Sequence, residues 1–243
     1  MSKIRFEPVE HRYFNDKGEE LISVSKLLSF YKQPFDEDGS ILLRCAQKEG
    51  ISPEELKKQW EDKKDSACVR GKNFHAQIEH FIKTGQILDK DYKDVIEKFA
   101  LIKFDGKLKS ETIVWSDSWK IAGTTDLINY KDNNVISLGD FKTNQKISDY
   151  NPWGRKLLYP VNHLSETEVS IYSLQMSLYA VILEELGYWI DDLTIYYVYP
   201  KKRSIKTIPI RFLRQDALNL IEHYYGRKVK NKEVNVQVDD FGF

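Results

Sequence analysis

The sequence predicts a single domain of mixed α and β structure, with a central sheet built on an antiparallel meander and flanked by helices. Three observations lead there. Strong helix signals sit at both ends of the chain, and the apolar period changes from 3.6 to 2 between about residues 111 and 142. The three β-rich runs in that stretch are separated by short turn sequences, Asp117-Ser118 and Lys131–Asn134. Helices before and after one sheet make an α+β arrangement. With 243 residues, no internal repeat and no linker-like stretch, the chain reads as one domain. Within it, residues 1–65 form an N-terminal region of hairpin and helices, 66–211 a core, and 212–243 a C-terminal helix and tail.

In chain order, the alternation over Arg5–Tyr13 and the turn at Asn15–Gly18 suggest a small hairpin. Ser23 opens a short helix reaching Phe30. Ser52-Pro53-Glu54-Glu55 is a helix start, with Ser as cap, Pro in the first turn and Glu three residues after the cap. That helix is expected to end near Ser66, with a second one from Gly71 to Thr84 and a third over Asp91–Phe104. The meander follows as Glu111–Ser116, Lys120–Tyr130 and Val135–Lys142. After a long polar loop, residues 143–163, comes a helix over Ser165–Leu186 stopped by Gly187. Strands at Leu193–Tyr199 and Thr207–Arg211 and a helix over Asp216–Tyr225 complete the chain.

Composition excludes several classes. Thirty-seven Lys and Arg balance thirty-seven Asp and Glu, which is unlike a histone-type polycation. The balance is uneven along the chain, because residues 200–232 hold ten basic residues against Asp216 and Glu222. The apolar run Leu178–Leu183 falls far short of the ~20 residues needed to cross a bilayer. The first ten residues have no apolar signal-peptide core. Cys45 and Cys68 are too few for a four-thiolate zinc or iron–sulfur site. They read as reduced, buried thiols in a cytoplasmic protein.

The chemistry concentrates in the meander. Asp140 and Lys142 project on the same face of an otherwise apolar strand, where charged groups are costly unless partnered. If the loop is the five residues Lys131–Val135, Tyr130 faces Ile136 and Asp126 faces Asp140, with Cβ atoms ~5 Å apart. A four-residue loop would instead set Asp126 against Gly139, pointing away. In the first register two facing carboxylates repel unless a cation lies between them, which favours a divalent metal held by hard oxygen donors. Lys142 is then placed to hold a water or to neutralise charge on a phosphoryl transition state. In the second, Asp140 and Lys142 reduce to a surface ion pair.

Gly123-Thr124-Thr125-Asp126 followed by Gly139-Asp140-Phe141-Lys142 resembles the core of the PD-(D/E)XK nuclease superfamily, in its RecB-like exonuclease branch. Two further motifs of that branch are present in order: Arg70-Gly71 with His75, Ile78 and Glu79 upstream, and Gln175 with Tyr179 downstream. The likeness extends from about Ser23 to Tyr199 and is greatest to the small phage exonucleases and mitochondrial genome maintenance exonucleases. It implies a restriction-endonuclease-like core and a metal-dependent DNA exonuclease using Mg²⁺ or Mn²⁺. It also implies His75, Asp126, Asp140 and the Phe141 backbone carbonyl as metal ligands, Lys142 as catalytic lysine, and Gln175 positioning Lys142 or the substrate. Many relatives carry four cysteines for an iron–sulfur cluster; with two, this chain is expected to have none.

An imidazole ligand suits Mn²⁺ better than Mg²⁺. Glu79 lies one helical turn beyond His75, where it could orient the imidazole, bind metal, or stay in solvent. Gln175 and Tyr179 share a helix whose Ile171, Leu174, Leu178 and Ile182 make a core stripe. Cations mixed with aromatic rings suit single-stranded or end-bearing DNA. The residues so marked are Arg70, Lys72, Trp153, Arg155, Lys156, Lys201, Lys202 and Arg203. A flap or junction endonuclease on the same core, and an inactive nucleic-acid-binding protein, are the alternatives. The expected setting is phage-type recombination, repair or replication in the cytoplasm, that of the host if the protein is viral, without membrane contact.

Overall fold

A computed structural model describes residues 3–34, 39–199 and 204–226. The N-terminal region is a three-stranded meander, β1 (Arg5–Glu7), β2 (Arg12–Phe14) and β3 (Glu20–Ser23), rather than one hairpin. A second turn, between Glu7 and Arg12, supplies the extra strand. Ser23 ends β3 and caps α1 (Val24–Ser29), its hydroxyl accepting from the Lys26 amide at 3.2 Å. α2 (Ser40–Glu49) has no counterpart in the sequence reading. Its buried face is small, Leu42 and Ala46, and its cap is Gly39, which offers no side-chain signal.

The break expected near Ser66 is absent. α3 runs unbroken from Pro53 to Thr84, with Ser52 capping Glu55 as its start sequence predicts. Gly71 costs such a helix only about 1 kcal/mol relative to Ala, too little to end it. The third helix is shorter than expected: a 3₁₀ turn, Lys90–Tyr92, leads into α4 (Lys93–Ala100).

β4 (Lys107–Ser116), β5 (Ile121–Tyr130) and β6 (Val135–Lys142) form the expected antiparallel meander. α5 (Glu168–Glu185), capped by Thr167, follows the long loop, and β7 (Trp189–Tyr199), β8 (Ser204–Pro209) and α6 (Arg214–Tyr225) close the described chain. The eight strands make one sheet in the order β1-β2-β3-β5-β6-β7-β8, with β4 pairing β5 on its other side. Most neighbours are antiparallel; β3 with β5 and β6 with β7 are the parallel pairs.

Apolar side chains cover both faces of the sheet. On one, Ile128, Ile136, Leu138 and Ile195 pack against α1, α5 and α6. On the other, Leu127, Phe141, Tyr196 and Val198 meet Phe74 and Ile78 of α3 and Val95, Ile96 and Phe99 of α4. α5 is buried on every side from Met176 to Leu183, not along one stripe. Cys45 is half-buried and Cys68 is exposed, so the expectation of two buried thiols fails. No described helix is long and apolar enough to cross a membrane.

Candidate active site

The site grows from an interruption in the sheet. On one edge of β5, β3 pairs Ile121 and Ala122, and β6 pairs Leu127 through Tyr130. Between them, residues 123–126 have no strand beside them on that edge among the described residues. The gap lets Asp126 reach across, and its Oδ2 accepts the Phe141 amide at 2.7 Å. Tyr130 pairs with Ile136 and Leu127 with Gly139, so the five-residue loop is the one the chain uses. Continued by one position, that register sets Asp126 opposite Asp140.

On the other edge of β5, Ser110 pairs Leu127 and Thr112 pairs Thr125, which sets Glu111 opposite Asp126. Glu111 has a left-handed backbone, φ 46°, in the middle of a strand, and leaves the ladder there. L-residues pay roughly 1–2 kcal/mol for that conformation. Glu111, Asp126 and Asp140 therefore stand in one row across three strands.

α3 brings His75 to this row. Its Nδ1 donates to Glu111 Oε1 at 3.2 Å and lies 3.6 Å from Asp126 Oδ1, while Nε2 donates to the Phe141 carbonyl at 3.3 Å. Two donating nitrogens describe an imidazolium. Burial works against that charge, but Asp126 and then Glu111 outweigh it and lift the His75 pKa to about 9. Burial, followed by repulsion from Asp140, pushes the Asp126 carboxyl up, with His75 and Lys142 pulling the other way. Donor atoms of His75, Glu111 and Asp126 all lie within 4.8 Å of one another.

Lys142 Nζ is 2.5 Å from Asp140 Oδ2, a close ion pair inside the protein. Burial opposes the ammonium charge, and Asp140 and Asp126 overcome it, raising the Lys142 pKa. Nζ also sits 4.7 Å from the centre of the Tyr172 ring, whose hydroxyl accepts from Asn144 at 2.7 Å. With the His75 proton released, its imidazole and the Glu111 and Asp126 carboxylates, beside Asp140 and the Phe141 carbonyl, make a nitrogen-and-oxygen donor set that fits a divalent cation such as Mg²⁺ or Mn²⁺.

Two glycines allow this geometry. A Cβ on Gly123 would lie 2.4 Å from the Tyr179 ring, and one on Gly139 would lie 2.5 Å from Tyr196. Gln175 donates to the Tyr179 hydroxyl at 3.2 Å, and it is Tyr172 that meets Lys142. Glu79 pairs with Lys83 at 2.5 Å, and Glu111 holds the His75 nitrogen instead. Glu111 escaped the sequence reading although the signal was there: counting back from the turn after Ser116 sets it opposite Asp126.

Of the residues marked for nucleic acid, Lys72 and Lys156 are exposed and Trp153 is 82% exposed. Arg70 is half-buried, its Nε without a hydrogen bond among the described residues. Arg155 is tied down, donating to Glu166 at 2.8 Å and to the Gln33 carbonyl at 3.1 Å. Lys201, Lys202 and Arg203 lie outside the described residues, as do the basic residues beyond Gly226. The long loop is built into the fold: Leu157, Val161 and Leu164 are buried in the core.

No protein-family model matches the chain, and no curated protein matches it in sequence. Among solved structures it is similar to a proposed exonuclease of Eubacterium rectale, at 18% identity and a TM-score of 0.42, over 85% of this chain and 79% of that one.

Proposed function

We propose that the chain is a metal-dependent deoxyribonuclease, an exonuclease on single-stranded or end-bearing DNA, with a Mg²⁺ or Mn²⁺ cofactor. The observation that carries this reading is the row Glu111–Asp126–Asp140 with Lys142 and His75 converging on it. Three carboxylates and two cationic side chains gathered at one place are costly to bury for structure alone, and the arrangement suits a site that binds a divalent cation beside a phosphate.

A divalent cation held there would supply Lewis acidity for polarising a phosphodiester and acidifying a water. His75, once it has given up a proton, with Asp126, Asp140 and the Phe141 carbonyl would hold it, as the resemblance implies, and Glu111 is added by its geometry. Lys142 keeps its proton because Asp140 and Asp126 favour the charged form. Its ammonium then donates to the charge that grows on the phosphoryl oxygens. Tyr172 fixes the lysine from the other side, and Gln175 sets the Tyr179 ring against Gly123, behind the row.

The test is cleavage of end-labelled linear and covalently closed circular DNA, single- and double-stranded, with Mg²⁺ or Mn²⁺. Linear DNA should be shortened from an end and circles spared. Asp140→Ala and Lys142→Ala should each lower the rate by about 100-fold or more. Cut circles would make the protein an endonuclease, for flaps or junctions. DNA bound but never cut, or cutting unchanged in both variants, would remove the catalytic assignment.

A further inference from the structure

We propose that a lane for single-stranded DNA leaves the site over Lys32 and ends on a platform of exposed rings formed by Phe30, Tyr159, His223 and Tyr224. The proposal deepens the nuclease reading and rests on it for the position of the reacting phosphate.

The lane is a surface built from distant parts of the chain. Leu158 donates its amide to the Tyr31 carbonyl at 2.8 Å, and Gln33 Nε2 donates to the Lys156 carbonyl at 3.1 Å, laying residues 31–33 along 156–158. Glu166 fastens the same segment by accepting the Gln33 amide at 3.2 Å. Lys32 stands between these anchors and is exposed in part, with protein packed along its side chain. Among the described residues it has no ion pair, since Glu166, the carboxylate that acts on it, is engaged by Arg155 and the Gln33 amide. The Lys32 pKa is lowered, first because neighbouring protein displaces its water and further because Lys142 repels it, with Glu166 opposing. Two cations close enough to repel each other favour an anion between them.

The rings begin at the residue before Tyr31. Phe30 stacks on Tyr224 with centroids 5.7 Å apart and planes 23° apart. Tyr159 meets His223 edge-on at 5.2 Å, and His223 Nδ1 is held 3.0 Å from the Tyr31 hydroxyl. Phe30, Tyr159 and Tyr224 are 50%, 67% and 39% exposed, so large apolar faces are kept in water at one place. Lys32 and Lys156 interrupt them, and a patch broken by cations is poor for burying another protein's apolar face. Unpaired bases suit it: each presents a face to stack and a phosphate to a cation. Duplex DNA hides its base faces and cannot use the rings.

The test is fluorescence anisotropy with a labelled 15-nucleotide oligothymidylate and with a duplex of equal length, in EDTA so that nothing is cut. Phe30→Ala with Tyr159→Ala should weaken oligothymidylate binding about tenfold or more and leave duplex binding unchanged. Lys32→Gln should weaken oligothymidylate binding and lower the slope of log affinity against log salt by about 0.7, the loss of one phosphate contact on a single strand. Trp189→Ala, a ring 68% exposed at the far end of β7, is the control and should change nothing. Unchanged oligothymidylate binding in the ring and lysine variants, equal losses on duplex, or tighter binding of oligouridylate would each overturn the proposal. Because binding is read without metal, the two ideas separate. Cleavage lost in Asp140→Ala beside intact binding in the ring variants sinks the lane alone. The expected binding losses in a protein that never cuts support the lane and sink the nuclease.

Discussion

α3 is one helix held in two ways. From Phe74 to Ile82 it lies against the sheet, with Phe74 and Ile78 buried among Phe99, Phe141 and Tyr196, and it delivers His75 to the carboxylate row. From Pro53 to Val69 it meets α2 through Leu56 and Trp60, and every residue from 61 to 69 is exposed. The second half is helical because burial rewards it. The first is helical because Ser52, Pro53 and Glu55 start it well and Glu, Lys and Gln propagate it cheaply. A helix can thus carry a residue of the proposed site at one end while the other draws little support from the core.

Three substitutions probe that contrast, in decreasing order of effect. Phe74→Ala removes a ring from the packed half and should cost about 3–5 kcal/mol of global stability, read from denaturant midpoints at constant slope. A cost below about 1 kcal/mol would mean that the packed half is no better anchored than the exposed one. Ser52→Ala takes the cap from the exposed half and should cost about 1 kcal/mol, with faster amide exchange confined to the first turns of α3. Faster exchange reaching His75 would join the halves into one cooperative unit. Gly71→Ala, at the junction, should stabilise by about 0.5–1 kcal/mol in a melt, since a Cβ there meets Thr143 Oγ1 at an unstrained 3.6 Å. A loss of stability would show that the junction must bend.

The same contrast explains what was legible in the sequence. The strands of the meander could be read from period and turn residues, while the facing of Asp126 with Asp140 was one of two registers that the uncertain loop length left open. The unbroken α3 could not, because its apolar stripe fades where it leaves the core, and a fading stripe looks like a helix end. α2 lacked both a capping side chain and a wide stripe. Glu111 could be found by register, but its involvement depends on a backbone twist that no local pattern announces. Arg155 looked like a free cation because Glu166 and the Gln33 carbonyl come to it only through the fold. The ring platform was hidden for a related reason: Phe30 and Tyr224 are far apart in sequence and meet only in the folded chain.

The left-handed turn at Glu111 has a second consequence. β4 pairs with β5 on one side and has no strand on its other side among the described residues, and a ten-residue edge of that kind is a template onto which another chain can add a strand. A residue that steps out of the extended conformation breaks the row of outward amides and carbonyls, and the charged Lys107 and Lys109 discourage pairing further along. The twist that turns a carboxylate toward His75 thereby guards the molecule against self-association, and straightening β4 to relieve it would put solubility at risk.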